Sequence, residues 1–292
     1  MGDTLSKSDL RSYANVLTPA NFKKILRKKD YSFEYYRSNG HIRGKDFSTC
    51  HEAINHFYES LLSNYKNEYV YKNILIHELL LKSYKLEDTI VLNEFRIGGS
   101  IADLVLLNGE AIVYEIKTEF DSLNRLDKQI QNYFQFADKV YVVSCSRYIP
   151  NLVKRYSDTN LGIIELTQRN ALKKVKKASR NNSSFSHEVL FKTLRKKEYI
   201  DLIECYFGYI PNVPNTKIFR ECFRLSKEIE IIRFQKMVIN KLKKHRNLSE
   251  PKYFQDGQIP DPLTYIYYNL NLSDKEFQVL DSFLKKQCIF HI

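Results

Sequence analysis

At 292 residues with 43% hydrophobic side chains, the chain can bury one large core or two small ones, which excludes a disordered polypeptide. A formal net charge of +12 favours a polyanionic partner. The cysteines (Cys50, Cys145, Cys205, Cys222 and Cys288) are scattered and odd in number with no Cys-x-x-Cys, which excludes a disulfide scaffold and a zinc ribbon, and no apolar run approaches the length of a membrane span.

In chain order, residues 4–46 hold amphipathic helical stretches, one of them around Phe22 to Leu26, and an aromatic-rich link YSFEYYRSNG. The opening MGDTLSKSDLR lacks the apolar stretch of a signal peptide, so a cytoplasmic location is expected. Helical apolar spacing then covers His51 to Tyr65 and Glu68 to Tyr84, with Ser48 or Thr49 as candidate caps. Ile90 to Arg96 reads as a strand that ends at Gly98-Gly99.

The stretch Ile101 to Lys117, IADLVLLNGEAIVYEIK, places three ionisable groups in an otherwise apolar run. Buried charges of this kind pair with one another or bind metal, because leaving one alone costs several kcal/mol, roughly. Glu115 and Lys117 leave one face of their strand together with Val113, and Asn108-Gly109 signals a hairpin with Asp103 on the preceding strand. A two-residue turn would pair Leu107 with Glu110 and put Asp103 and Glu115 on opposite faces. A three-residue connection, or a bulge, brings them to one face, and this register is the one expected. Two carboxylates and an ammonium there suit Mg²⁺ or Mn²⁺, with the lysine placed to orient a water.

After the hairpin, LDKQIQNYFQF is helical, with an apolar stripe at Leu123, Leu126, Ile130, Phe134 and Ala137 and with Gln129 and Tyr133 four apart on one side. The strand KVYVVS (139–144), a helix near Pro150 to Tyr156 and a short strand Gly162 to Leu166 complete a mixed sheet. Lys173 to Phe185 is polar, basic and turn-rich, the segment most like a linker. Helical patterns dominate from Ser186: HEVLFKTLRKKEYIDLIECYF, then Lys217 to Arg246, then Ser273 to Cys288 with Ser273 as N-cap.

Asp103 on one strand followed by Glu115-x-Lys117 on the next resembles the signature of the PD-(D/E)xK nucleases. Gln129 and Tyr133 resemble the Gln-x-x-x-Tyr of their RecB-like branch, and Glu78 the glutamate of a preceding helix. Ala102 stands where that signature has proline, and the sequence between Asp103 and Glu115 is short. The resemblance covers about residues 48 to 168, and extends to uncharacterised bacterial proteins with this core and a basic helical tail. It implies an α/β fold, a restriction-endonuclease-like mixed sheet flanked by helices, with an additional mainly helical C-terminal region. It further implies catalytic roles for Asp103, Glu115, Lys117, Gln129 and Tyr133, and a Mg²⁺ (or Mn²⁺) cofactor held by Asp103, Glu115 and Glu78. Each motif also has a plainer origin: a cross-strand salt bridge for the hairpin, an i,i+4 pair with Lys82 for Glu78, and a core tyrosine for Tyr133.

Charge is unevenly spread. Residues 168–250 hold 20 Lys+Arg against 8 Asp+Glu, whereas the remainder holds 26 of each. The candidates for phosphate contact are Lys173, Lys174, Lys176, Lys177, Arg195, Lys196 and Lys197, residue types that give affinity without sequence preference. The expected organisation is an N-terminal helical segment (1–47), a nuclease-like core (48–168), a basic linker (169–185) and a helical basic region (186–292). The expected function is metal-dependent hydrolysis of phosphodiester bonds, with DNA as substrate by analogy and no membrane partner. The alternative is a nucleic-acid-binding or regulatory protein, as in a bacterial defence system against phage, on a nuclease-like fold that is non-catalytic or needs a partner. A homodimer and a partner protein both stay open.

Overall fold

A computed structural model describes residues 5–28, 47–181, 183–246, 248 and 252–287. The aromatic link at 31–40 and Cys288 lie outside the described residues. The chain forms two compact units, one from residues 1–84 and 248–292 and the other from residues 85–247. These boundaries differ from the expected ones at 47, 168 and 185. The helices of 50–83 group with the C-terminal helices, and those of 187–245 group with the sheet.

The first unit contains α1 (Lys7–Val16), α2 (Pro19–Lys28), α3 (Cys50–Asn64), α4 (Glu68–Ile76) and a π-helical turn His77–Ser83. Thr49 caps α3, its hydroxyl accepting from Glu52 N at 3.2 Å. Apolar residues on each helix build a core that includes Leu17, Phe22, Ile54, Phe57, Leu61, Tyr71 and Leu75. The buried Asn73 joins the two ends of the chain: its amide donates to Tyr58 OH at 2.9 Å and Asp261 O at 2.7 Å, and its carbonyl accepts from Tyr265 N at 2.8 Å. Burial pushes the Tyr58 hydroxyl up to about 12, partly offset by its hydrogen bond to Asn73.

In the second unit, six strands run in the order β1 (Ile90–Ile97), β2 (Ser100–Leu107), β3 (Ala111–Lys117), β4 (Lys139–Cys145), β5 (Gly162–Leu166) and β6 (Leu172–Lys176). Pairing is antiparallel for β1–β2, β2–β3 and β5–β6, and parallel for β3–β4 and β4–β5. The expected mixed sheet is therefore present. The parallel connections run through α5 (Leu126–Phe134) and α6 (Ile149–Arg155). All seven residues of β3 are buried, as a central strand covered on both faces requires.

Four helices follow the sheet: α7 (His187–Lys192), α8 (Lys196–Phe207), α9 (Asn215–Ser226) and α10 (Ile231–His245). Their apolar stripes, with Leu190, Phe191, Leu202, Phe234 and Leu242, join Leu126, Ile130 and Phe136 of the α5 region and Val105, Val113, Val140, Val142 and Ile163 of the strands in one core. Residues beyond 251, in the first unit, add α11 (Lys252–Gln255), α12 (Thr264–Leu270) and α13 (Asp274–Leu284), the last with Ser273 and Glu276 forming a capping box.

Part of the expected linker is sheet. Leu172–Lys176 is the edge strand β6, and Arg180 reaches back to the buried Asp138 with a 2.9 Å ion pair. Gly162 in β5 is fixed by space: a Cβ there would lie 2.3 Å from the Tyr141 ring and 2.8 Å from Ala178 N. Gly162→Ala should therefore cost about 1–3 kcal/mol through overpacking, read as a lowered urea midpoint with an unchanged slope. An unaltered midpoint would mean that the Tyr141 ring and the backbone at Ala178 give way at no cost.

Candidate functional site

Local turn chemistry sets the hairpin. Leu107 pairs with Ala111 across Asn108, Gly109 and Glu110, with Gly109 at φ +67° and Asn108 N donating to Glu110 O at 3.0 Å. This is the three-residue register. The ladder ends at Leu104 and Tyr114, and the next rung would set Asp103 against Glu115. There, a side chain replaces the rung: Asp103 Oδ2 accepts from Ile116 N at 2.6 Å. Glu94, between the pairs Asn93–Leu104 and Phe95–Ala102, has φ +49°, an unusual conformation for a residue with a long side chain.

Glu115 is 1% exposed, and both of its oxygens are occupied. Oε1 accepts from Lys117 Nζ at 2.6 Å and Gln129 Nε2 at 2.6 Å, while Tyr133 OH stands 2.7 Å from Oε2 and 2.8 Å from Ile101 O. Gln129 and Tyr133 meet the strand because residues four apart share one side of α5. Burial first, then the negative charge of Glu115, raises the Tyr133 hydroxyl far above its ordinary value, so it acts as a donor throughout the physiological range. Gln129 Oε1 is buried with no partner among the described residues.

Four predicted residues thus form one hydrogen-bonded network, with Asp103 on the adjoining strand. Glu78 lies in the first unit, where its Oε1 accepts from Lys82 Nζ at 2.6 Å. Among the described residues no three His, Cys, Asp or Glu side chains are placed to hold one metal ion. As arranged, the donor set does not fit a divalent cation, because Glu115 has three donors and one of them is an ammonium.

The basic candidates divide. Lys173, Lys174, Lys177, Arg195 and Lys197 are exposed. Lys176 instead donates to the backbone carbonyls of Tyr156 and Thr159, and Lys196 donates to Asn215. Burial, the largest influence, lowers the Lys176 ammonium from its ordinary value.

Two anchors escaped sequence reasoning because their partners are remote. Asp138 accepts from Ala111 N at 2.8 Å, Arg180 Nη2 at 2.9 Å and Gln235 Nε2 at 2.8 Å. Glu198 accepts from Arg246 Nη2 at 2.7 Å and Arg195 N at 2.6 Å. Burial opposes ionisation of Glu198, but these bonds win and hold its carboxyl below the usual range. Its contribution to stability is present above the ordinary glutamate value and is lost as pH falls through the lowered one.

Residues 62–259 match the family model described as Bacteriophage P4 protein cII. Protein cII of Enterobacteria phage P4 is 29% identical over 175 residues, an alignment that covers 58% of this chain and 64% of that protein. The match thus spans less than two thirds of the relative's length. No solved structure matches the chain. These findings correct the expected function: the matched family and relative are described as a phage protein cII, not as a nuclease that hydrolyses phosphodiester bonds.

Proposed function

Because the chain belongs to the bacteriophage P4 protein cII family, we propose that it is a nucleic-acid-binding regulatory protein that holds its target without cutting it, on a core that resembles the PD-(D/E)xK fold. The observation that carries this reading is where the charge lies. The sheet-bearing unit holds 29 Lys+Arg against 19 Asp+Glu, so it carries most of the excess, and Lys173, Lys174 and Lys177 stand exposed on or beside its edge strand. Lysines also protect sheet edges from pairing with other chains, a sufficient reason for them in a protein that binds nothing. Against catalysis stands Glu115, whose oxygens serve three internal donors and so lock β3 to α5.

Anisotropy of labelled duplex and single-stranded oligonucleotides across a salt series tests the reading. The logarithm of affinity should fall linearly with the logarithm of salt. The double variant Lys173→Glu/Lys174→Glu keeps a charged edge, and should weaken binding to all sequences evenly while reducing the salt slope by about 2. Absence of salt-dependent binding by the wild type, or metal-dependent cutting of the probe, would overturn the proposal.

A further inference from the structure

Helix α10 turns an apolar face to the core and a basic one to solvent. Phe234, Val238, Ile239 and Leu242 are buried, and the Gln235 amide donates to Asp138 Oδ2 at 2.8 Å, so the inner face is fastened to the sheet-bearing unit. Arg233, Lys236, Asn240 and Lys244 are exposed, and their spacing sets them in one outward stripe roughly 16 Å long.

No Asp or Glu lies within this helix. In α7 and α9, by contrast, basic side chains are matched by acids one turn away, Lys192 by Glu188 and Arg224 by Glu221 and Glu228. Among the described residues no ion pair or hydrogen bond engages the side chains of Lys236, Asn240 or Lys244, and the Arg233 guanidinium lies over the Tyr206 ring at 4.7 Å. Of the nearby acids, Glu230 lies in the field of Lys236 but is spent as the cap, accepting from Ile232 N at 2.9 Å and Arg233 N at 2.8 Å. On α8, Asp201 faces His245 and Glu198 holds Arg246; Glu204 is exposed.

Helix stability does not account for the stripe. The macrodipole favours Lys243 and Lys244 in the last turn but opposes Arg233 in the first, and like charges one turn apart repel. Asn240, in the middle of the exposed face, is a poor helix former. A basic amphipathic helix can lie on a membrane, but only with its apolar face free to enter the lipid, and here that face is buried. What remains is a rigid cationic ridge with one neutral amide at its centre. The major groove of B-form DNA, about 12 Å wide, admits an α-helix between two rows of phosphates, and an asparagine there pairs bidentately with adenine. Duplex RNA has a groove too narrow for a helix, and a single strand has none.

We infer that α10 is a DNA-reading helix that lies in the major groove of a duplex, with Arg233, Lys236 and Lys244 facing phosphates and Asn240 at an adenine edge. This rests on the nucleic-acid-binding reading above.

Anisotropy of a labelled mixed-sequence DNA duplex, with the same sequence as duplex RNA and as single-stranded DNA, tests the inference on the full chain. The wild type should bind the DNA duplex most tightly. Methyl green, a major-groove ligand, should displace it, and netropsin, a minor-groove ligand, should not. Lys236→Ala/Lys244→Ala keeps good helix formers at both positions and should reduce the salt slope by about 2. Asn240→Ala should leave that slope unchanged. In duplexes selected from a randomised pool, the wild type should favour adenine at one position by roughly 5- to 150-fold, and Asn240→Ala should lose that preference. DNA binding that resists methyl green, or that keeps its salt slope in the double variant, would overturn the groove assignment and leave the broader reading standing. An adenine preference that persists in Asn240→Ala, or none in the wild type, would overturn the role of Asn240. Failure of the wild type to bind any nucleic acid would overturn both readings.

Discussion

Glu115→Ala should destabilise the sheet-bearing unit by about 3–5 kcal/mol, the cost expected when one partner of a buried ion pair is removed. Lys117 is 9% exposed and its ammonium lies 2.6 Å from Glu115 Oε1, so truncation strands a charge inside the protein. Gln129 and Tyr133 lose their acceptor as well. Lys117→Met should be milder, because Glu115 keeps two neutral donors and the apolar stem is retained. Combining the two changes should recover part of the loss, since no ammonium remains to be stranded, giving a favourable coupling energy in the double-mutant cycle. Urea unfolding followed by circular dichroism measures all three. Equal, additive losses would mean that the pair contributes nothing as a pair.

Asp138→Ala should cost about 3–5 kcal/mol, through the desolvation of donors left without a partner. Asp138 is 1% exposed, and its carboxylate receives the buried Ala111 N and the buried Gln235 amide together with the Arg180 guanidinium. Arg180 can return to water, since its side chain is 50% exposed. Ala111 N and Gln235 cannot. Asp138→Asn should be much milder, because Ala111 N and Gln235 share the single oxygen Oδ2, which a carboxamide oxygen can replace while the new amide faces Arg180. The loss should show as a lower unfolding midpoint. It should also show as faster amide exchange at Ala111 and in α10, since Asp138 ties the start of β3 to that helix. Wild-type exchange at Ala111 in Asp138→Ala would refute this account of the anchor.

The nuclease expectation and the observed site illustrate what a motif conveys. Asp103, Glu115 and Lys117 share a face through strand alternation and the three-residue turn after Leu107. That arrangement does not specify what those groups do. A buried carboxylate with three donors is equally the solution to a folding problem, and in this chain Tyr133 and Gln129 supply two of them. The family match, covering residues 62–259, points to phage protein cII rather than to a nuclease.

The sequence by itself determined the elements whose signals are local. These include a hairpin at Asn108-Gly109, the buried strands at 111–117 and 139–145, a cap just before the helix at residue 50, the Ser273 cap and the placement of Gln129 and Tyr133 on one side of α5. Tertiary structure alone decided the rest. LKKVK has no apolar alternation to mark it as a strand, and is one because β5 offers a free edge with which its backbone can pair. The helices at 50–83 and 252–284 combine into one unit through partners such as Asn73 with Asp261 and Tyr265, nearly two hundred residues apart. The same holds for Asp138 with Gln235 and for Glu198 with Arg246. Such pairs follow from burial, which makes an unmatched polar group costly, and which charge finds which donor is settled only once the chain has closed around them.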